Sequence, residues 1–382
     1  MARALYIHWP FCLSKCPYCD FNSHVREGVD ANLWQRALLA DMAREAELAG
    51  GEPLDSIFFG GGTPSLMPPA LVAALLAEAE RLWGFAPGIE ITLEGNPTSV
   101  EAANYADLAL AGINRVSLGL QSFDDAALQF LGRHHSVSEG LGAVEMAQGL
   151  FSRVSFDLIY ALPQQSPAQW QEQLSRALAI GTGHLSLYQL TIEPGTRFES
   201  MVRRGEFTPL DNDAAADLFA LTREMTNTAS LPAYEVSNHA RIGEESRHNQ
   251  TYWRYRDYCG IGPGAHGRRG GLATVRHKKP ENWLDAIEAQ GDGIAEARSL
   301  GIAEQASEAM LMGLRLAEGI DLAAMAARFA LPLSALCDAE KLEFYCELGF
   351  CWHEGTRIGV TPKGMPVLDA LLGELVPAEL VA

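Results

Sequence analysis

Residues 4–19 read Ala4-Leu5-Tyr6-Ile7-His8-Trp9-Pro10-Phe11-Cys12-Leu13-Ser14-Lys15-Cys16-Pro17-Tyr18-Cys19. The stretch opens as a short apolar run with the composition of a buried strand. Three cysteines then fall within eight residues, spaced Cys-x3-Cys-x2-Cys. Thiolates at that spacing can each bond a different iron of one cubic [4Fe-4S] cluster. Three ligands leave one iron without a protein thiolate, open to a small molecule carrying amino and carboxylate groups. A fully ligated electron carrier needs a fourth cysteine nearby, and none follows. The competing reading is a zinc site completed by His8 or His24, but the spacing does not suit paired Cys-x2-Cys knuckles.

Outward from this stretch, the same order of strand, loop and helix recurs. Strands are expected over residues 4–8, 56–59, 89–93, 115–120, 154–159 and 184–190. Segments of helical period lie between them, at 32–48, 69–83, 102–111, 138–149 and 168–180. Six successive βα units predict an α/β fold with a parallel sheet, a partial (β/α)6 barrel whose chemistry sits in the loops after the strands. Beyond residue 230 the pattern changes to a stretch rich in Gly, His, Arg and aromatics. Helices return at 303–316, 322–329 and 333–345, followed by two short strands within 349–361 and a closing helix over 362–375. That order predicts a small C-terminal helical, winged-helix-like domain. The expected organisation is a barrel over 1–230, a connecting segment over 231–300 and the helical domain over 301–382.

The 382 residues carry 29 Lys and Arg against 48 Asp and Glu, a formal charge of −19. So acidic a surface repels phosphate backbones, which argues against nucleic acid as a partner. No apolar run reaches membrane-spanning length, and the first ten residues lack a signal-peptide core. A cytoplasmic protein without direct membrane insertion is expected. Seven cysteines, three of them crowded near the start, suit a reducing compartment with metal-bound thiolates. Cys259, Cys337, Cys346 and Cys351 are read as plain thiols.

Most of the remaining motifs fall at or beside predicted strand ends. Gly60-Gly61-Gly62-Thr63-Pro64 follows the second strand; glycines let a backbone approach a ligand, and no Gly-Lys-Ser/Thr follows to make it a phosphate loop. Glu94-Gly95-Asn96-Pro97 follows the third strand and Gln121-Ser122-Phe123 the fourth, with Arg133 twelve residues on. Asp157 lies near the end of the fifth strand and Gln189 in the sixth. Acids, amides and a guanidinium gathered this way suit a ribose and a carboxylate. Taken singly, each is as well explained as a helix cap or surface residue, except Asp157, whose apolar neighbours require it to have a partner. Tyr18 is placed either to cover an adenine ring or simply to pack its loop.

Taken together, the stretch from Tyr6 to Cys12, the Phe-Gly-Gly-Gly-Thr-Pro, Glu-Gly-Asn-Pro and Leu-Gly-Leu-Gln-Ser-Phe motifs, Asp157-Leu-Ile-Tyr-Ala-Leu-Pro and Tyr188-Gln-Leu-Thr-Ile-Glu-Pro-Gly-Thr resemble the oxygen-independent coproporphyrinogen oxidase family of radical S-adenosylmethionine (SAM) proteins. The resemblance covers most of residues 4–280. It implies a cluster on Cys12, Cys16 and Cys19, and SAM contacts at Tyr6, Tyr18, Gly61, Gly62, Thr63, Glu94, Gln121, Arg133, Asp157 and Gln189. Two features bear on the branch. Decarboxylating members carry a fourth cysteine two places after the third, where this chain has Phe21. His248-Asn249-Gln250-Thr251-Tyr252-Trp253 matches the His-Asn-x-x-Tyr-Trp motif of the family's heme-chaperone branch. The resemblance therefore implies heme as a third bound group, with His248 as axial ligand and Tyr252 and Trp253 as aromatic platform, and client apo-hemoproteins as partners. A structural histidine is the plainer reading of His248. The alternative function is oxidative decarboxylation of the propionate side chains of coproporphyrinogen III.

Overall fold

The structure, a computed structural model, describes residues 2–26, 28–50, 52–377 and 380; the expected domain limits at residues 1 and 382 lie outside them. Eight strands form the main sheet: β1 (Ala4–Trp9), β2 (Leu54–Gly61), β3 (Phe85–Gly95), β4 (Arg115–Gln121), β5 (Arg153–Tyr160), β6 (His184–Gln189), β7 (Asn238–Ala240) and β8 (Cys259–Ile261). Their order is β8-β1-β2-β3-β4-β5-β6-β7. All neighbours are parallel except β6 and β7. The six expected strands are β1 to β6, in sequence order. The sheet does not close, since β8 and β7 stand at its two edges. Both edge strands come from the segment read from sequence as a connection; at three residues each they are too short for a periodic signal.

Alternation along the strands sorts the residues into two faces. Leu5 and Ile7, Ile57 and Phe59, Ile91 and Leu93, Val116, Leu118 and Leu120, Phe156 and Leu158, and Leu185 and Leu187 belong to one buried apolar cluster. Helices α1 (Ala31–Ala49), α2 (Pro69–Trp83), α3 (Val137–Leu150) and α4 (Pro167–Ile180) contribute Leu38, Leu75, Val144 and Leu174 to the same cluster. Each buried Leu or Ile there is worth roughly 1.5–3 kcal/mol. The opposite face is polar: Tyr6 and His8, Ser56, Glu90 and Glu94, Arg115, Ser117 and Gln121, Asp157, His184 and Ser186 point to the lumen by the same alternation. Register sets these in rows, pairing Tyr6 with Phe58, Glu94 with Ser117 and Asp157 with Ser186.

Caps fix the helix starts. Asp30 accepts from Asn32 N and Leu33 N ahead of α1, and Ser136 with Glu139 and Ser166 with Gln169 form capping boxes on α3 and α4. The buried Asp41 of α1 accepts from Arg276, Trp283 and the backbone N–H of Gly262, which ties the edge beyond β8 to the first helix. A second apolar cluster gathers Met310, Leu314, Phe329, Leu342, Ile358 and Leu372 around an antiparallel three-stranded sheet of Ile320–Asp321, Cys351–Glu354 and Arg357–Val360. Helices followed by this hairpin match the winged-helix-like expectation. Two expected helices are broken. Residues 333–345 divide where Asp338 caps a new helix, Ala339–Glu347, through Glu340 N and Lys341 N. The closing helix begins only at Leu368, after a 3-10 turn containing Pro366, which has no N–H to donate.

Candidate cluster and cofactor site

The strands β1 to β5 end at one rim, and the loop after β1 folds across it. Cys12, Cys16 and Cys19 stand on that loop at the mouth of a cavity of about 460 Å³. Each thiol meets a different neighbour: Thr63 Oγ1 donates to Cys12 Sγ at 3.4 Å, Arg133 Nη1 to Cys16 Sγ at 3.5 Å, and Ser23 Oγ lies 3.9 Å from Cys19 Sγ. Burial pushes the thiols of Cys12 and Cys19 above their ordinary range. The other four cysteines are remote in sequence, and three of them are buried. The zinc alternatives fall away. His8 holds Tyr6 Oη at 3.0 Å and the Asn22 carbonyl at 2.9 Å, and His24 lies 3.2 Å from Asn22 Oδ1. Among the described residues no group of His, Cys, Asp or Glu is placed to hold a single metal ion.

Below the cysteines, the cavity is walled by Tyr18, Gly61, Gly62, Thr63, Glu94, Gln121, Arg133 and Asp157. The glycines are there for space. A Cβ on Gly62 would lie 2.7 Å from the Phe11 carbonyl oxygen, and one on Gly61, at φ +112°, would lie 2.6 Å from the His8 ring. This packing lets β1 and the loop after β2 touch: Gly62 N donates to Trp9 O at 2.7 Å and Thr63 N to Phe11 O at 2.8 Å. Arg133 braces the far wall, donating to Asn96 Oδ1 at 2.5 Å and Gly119 O at 2.8 Å.

Charge in the cavity is tuned by burial. Glu94 is pushed up from 4.5 to about 8, first by burial and then by Asp157, so at neutral pH its carboxyl is protonated and can donate. Asp157 is also raised by burial, opposed by bonds from Ser186 and Ser117, the latter at 3.1 Å. Gln121 sits at φ +67° with its Oε1 buried and unpartnered, an acceptor awaiting a donor such as a ribose hydroxyl. The donor set thus fits a cluster with one open iron and an adjacent nucleoside.

Two expected contacts lie off this wall. Tyr6 sits one layer deeper, its hydroxyl on His8 and its ring near Phe58 and His248. Gln189 gives one of its two amide hydrogens to Ala215 O at 2.7 Å. Sequence reading missed Ser117; the alternation Arg115, Ser117, Gly119, Gln121 carried its signal.

Residues 6–177 match the Radical SAM superfamily, and residues 303–367 match the HemN C-terminal domain. The heme chaperone HemW of Escherichia coli (strain K12) is 40% identical over 298 residues, 76% of this chain and 78% of that protein. The chain belongs to the HemW family of radical SAM proteins. HemW of Bacillus subtilis (strain 168) aligns at 30% over 379 residues, 98% of this chain and 100% of its own. The mouse protein named radical S-adenosyl methionine domain-containing protein 1, mitochondrial, is 42% identical over 326 residues, 83% of this chain and 74% of its own. In fold, the chain superposes on coproporphyrinogen III oxidase (HemN) of Escherichia coli with a TM-score of 0.83, covering 97% of this chain and 89% of that one at 20% identity.

The His-Asn-x-x-Tyr-Trp stretch read from sequence as a heme motif lies away from the cluster cavity. It forms the short helix α5 (Arg247–Trp253) under the barrel. His248 is 1% exposed, with Nδ1 3.1 Å from Ser56 Oγ and Nε2 2.6 Å from Tyr252 Oη. Its ring stacks on Phe58 at 5.0 Å, and its backbone N–H meets Glu90 Oε1 at 3.2 Å. Burial, then Arg115, drives its pKa down to about 3, so it is neutral. Ser56 and Gly61 stand five residues apart on β2, about 16 Å at strand rise, so this histidine is at the floor and the cysteines at the rim. Both ring nitrogens have hydroxyl partners, the arrangement of a structural histidine. Tyr252 is committed with it, packed edge-on to Tyr258 at 4.6 Å, while Trp253 remains half-buried.

Proposed function

We propose that this chain binds heme and passes it to apo-hemoproteins, on a barrel that holds a [4Fe-4S] cluster at Cys12, Cys16 and Cys19 with SAM across Gly61, Gly62, Thr63, Glu94, Gln121, Arg133 and Asp157. The observation that carries the reading is near end-to-end alignment with proteins named heme chaperones, 98% of this chain in the Bacillus subtilis case. Phe21 supports it: where decarboxylating relatives are expected to carry a cysteine, this chain places an exposed phenyl ring on the cavity mouth. When bound, the cluster supplies a one-electron centre with one open iron. The chain's own residues would orient SAM: Arg133 would serve its carboxylate, and Gln121 and the protonated Glu94 its hydroxyls. The net charge of −19 disfavours nucleic acid. No described helix is long and apolar enough to cross a membrane, and work in the cytoplasm belongs to the same proposal.

The test is a heme titration of anaerobically reconstituted protein beside an anaerobic assay with coproporphyrinogen III. A saturable Soret band without loss of propionate carboxyl groups is expected. Turnover of coproporphyrinogen III without heme binding would replace this reading by the decarboxylase. His248→Ala is expected to keep the Soret band and to lower thermal stability, because Ser56 and Tyr252 each lose a buried partner at about 1–3 kcal/mol.

A further inference from the structure

A second cavity of about 410 Å³ lies on the same rim, between the loops after β4 and β5 and the first turns of α4. An aromatic wall divides it from the cluster site. Phe198 lies 6.3 Å from Tyr18, which faces the first cavity, and 4.8 Å from Phe130, which faces the second.

Three glutamines in this cavity have their orientation set by donors that cannot reverse. Gln173 Oε1 accepts from Phe123 N at 3.2 Å and Ser122 Oγ at 3.0 Å. Gln165 Oε1 accepts from Leu162 N at 3.3 Å, and Gln169 Oε1 from Ser166 N at 2.8 Å. A backbone N–H only donates, so each amide oxygen is turned to the protein and each amide nitrogen is left over. Among the described residues none of these three nitrogens donates to a protein acceptor. Arg176 adds a guanidinium 5.0 Å above the Phe123 ring, with one bond to the Phe123 carbonyl at 3.4 Å. Of the two carboxylates on the rim, Asp124 is spent capping the next helix through Ala126 N and Ala127 N, and Glu172, exposed like Gln169 and Arg176, sets a negative charge against the guanidinium.

We infer that this cavity is a carboxylate subsite, and that it takes a propionate of heme; the second step rests on the heme reading above. Fixed amide donors with a guanidinium match a carboxylate's acceptor-only oxygens. Phe123 and Phe130 supply the apolar contact that the edge of a porphyrin ring needs. The site also lies one aromatic layer from the cluster cavity, so heme held here would stand beside the redox centre without displacing SAM.

The experiment titrates the reconstituted protein with heme and with heme dimethyl ester, whose propionates carry no charge. Gln173→Glu is the informative variant: its carboxylate still accepts from Phe123 N and Ser122, but the donor becomes a repelling oxygen. Heme affinity is expected to fall roughly tenfold or more, the scale of one charge-assisted hydrogen bond, with ester affinity unchanged. Arg176→Ala should act likewise, and Glu172→Gln should tighten heme binding by removing the opposing charge. Wild-type protein that binds no heme would overturn the heme reading and this inference together. Heme binding that Gln173→Glu and Arg176→Ala leave intact, or weaken equally for heme and ester, would overturn this inference alone.

Discussion

Anaerobic reconstitution of Cys12→Ala, Cys16→Ala or Cys19→Ala is expected to yield protein without the brown cluster chromophore, whereas wild type and Cys346→Ala take up about four irons and four sulfides per chain. The three cysteines stand on one loop over the rim, each beside a different hydroxyl or guanidinium. Removing any one leaves two irons of the cube without thiolates. Cys346 lies in the C-terminal helix Ala339–Glu347, packed against the second apolar cluster, so its loss touches no ligand. Iron and sulfide analysis with the visible spectrum reads the result. A cluster retained when Cys12, Cys16 and Cys19 are all replaced by Ala would show that the ligands lie elsewhere.

Gly61→Ala and Gly62→Ala should be nearly as damaging, but to SAM rather than to iron. At Gly61 a methyl meets both a φ of +112° and the His8 ring, and strain of this kind costs about 1–3 kcal/mol. At Gly62 it meets the backbone oxygen of Phe11, which cannot step aside without moving Cys12. Since about 1.4 kcal/mol is tenfold in a binding constant, SAM affinity is expected to drop by at least an order of magnitude. The reading is the change that SAM causes in the EPR spectrum of the reduced cluster. Gly142→Ala is the control: it lies on the exposed face of α3 with nothing near its Cβ. Removing a helix-interior glycine there should stabilise the protein by about 0.5–1 kcal/mol. Unaltered SAM response in both rim variants would remove the glycine loop from the site.

Much of the barrel was legible because its signals are local. β1 to β6 are apolar runs, and the Gly, Glu, Gln or Asp residues recurring at or near their C-terminal ends point together to one site. Boundaries were less so: the helix expected over 333–345 ended early because a cap at Asp338 outweighs helical period. Pairings across the chain were not legible at all. Asn96 meets Arg133 from 37 residues away, and Ser56 meets His248 from 192. Nothing in the order of residues announces either contact. His248 shows the same limit, since a motif tells which residue types are adjacent in sequence but not which buried hydroxyls partner an imidazole. The glutamines after β5 were passed over because a Gln run reads as solvated loop until its amide oxygens are seen to be spoken for.

The central claim is that heme leaves this protein by direct transfer to a client. Stopped-flow mixing of heme-loaded protein with increasing concentrations of an apo-hemoprotein, followed at the acceptor's Soret band, measures it. Transfer through a complex predicts a rate that rises with acceptor concentration and exceeds the rate at which heme escapes to an excess of a non-client scavenger. A rate equal to that escape rate and independent of acceptor concentration would contradict the account.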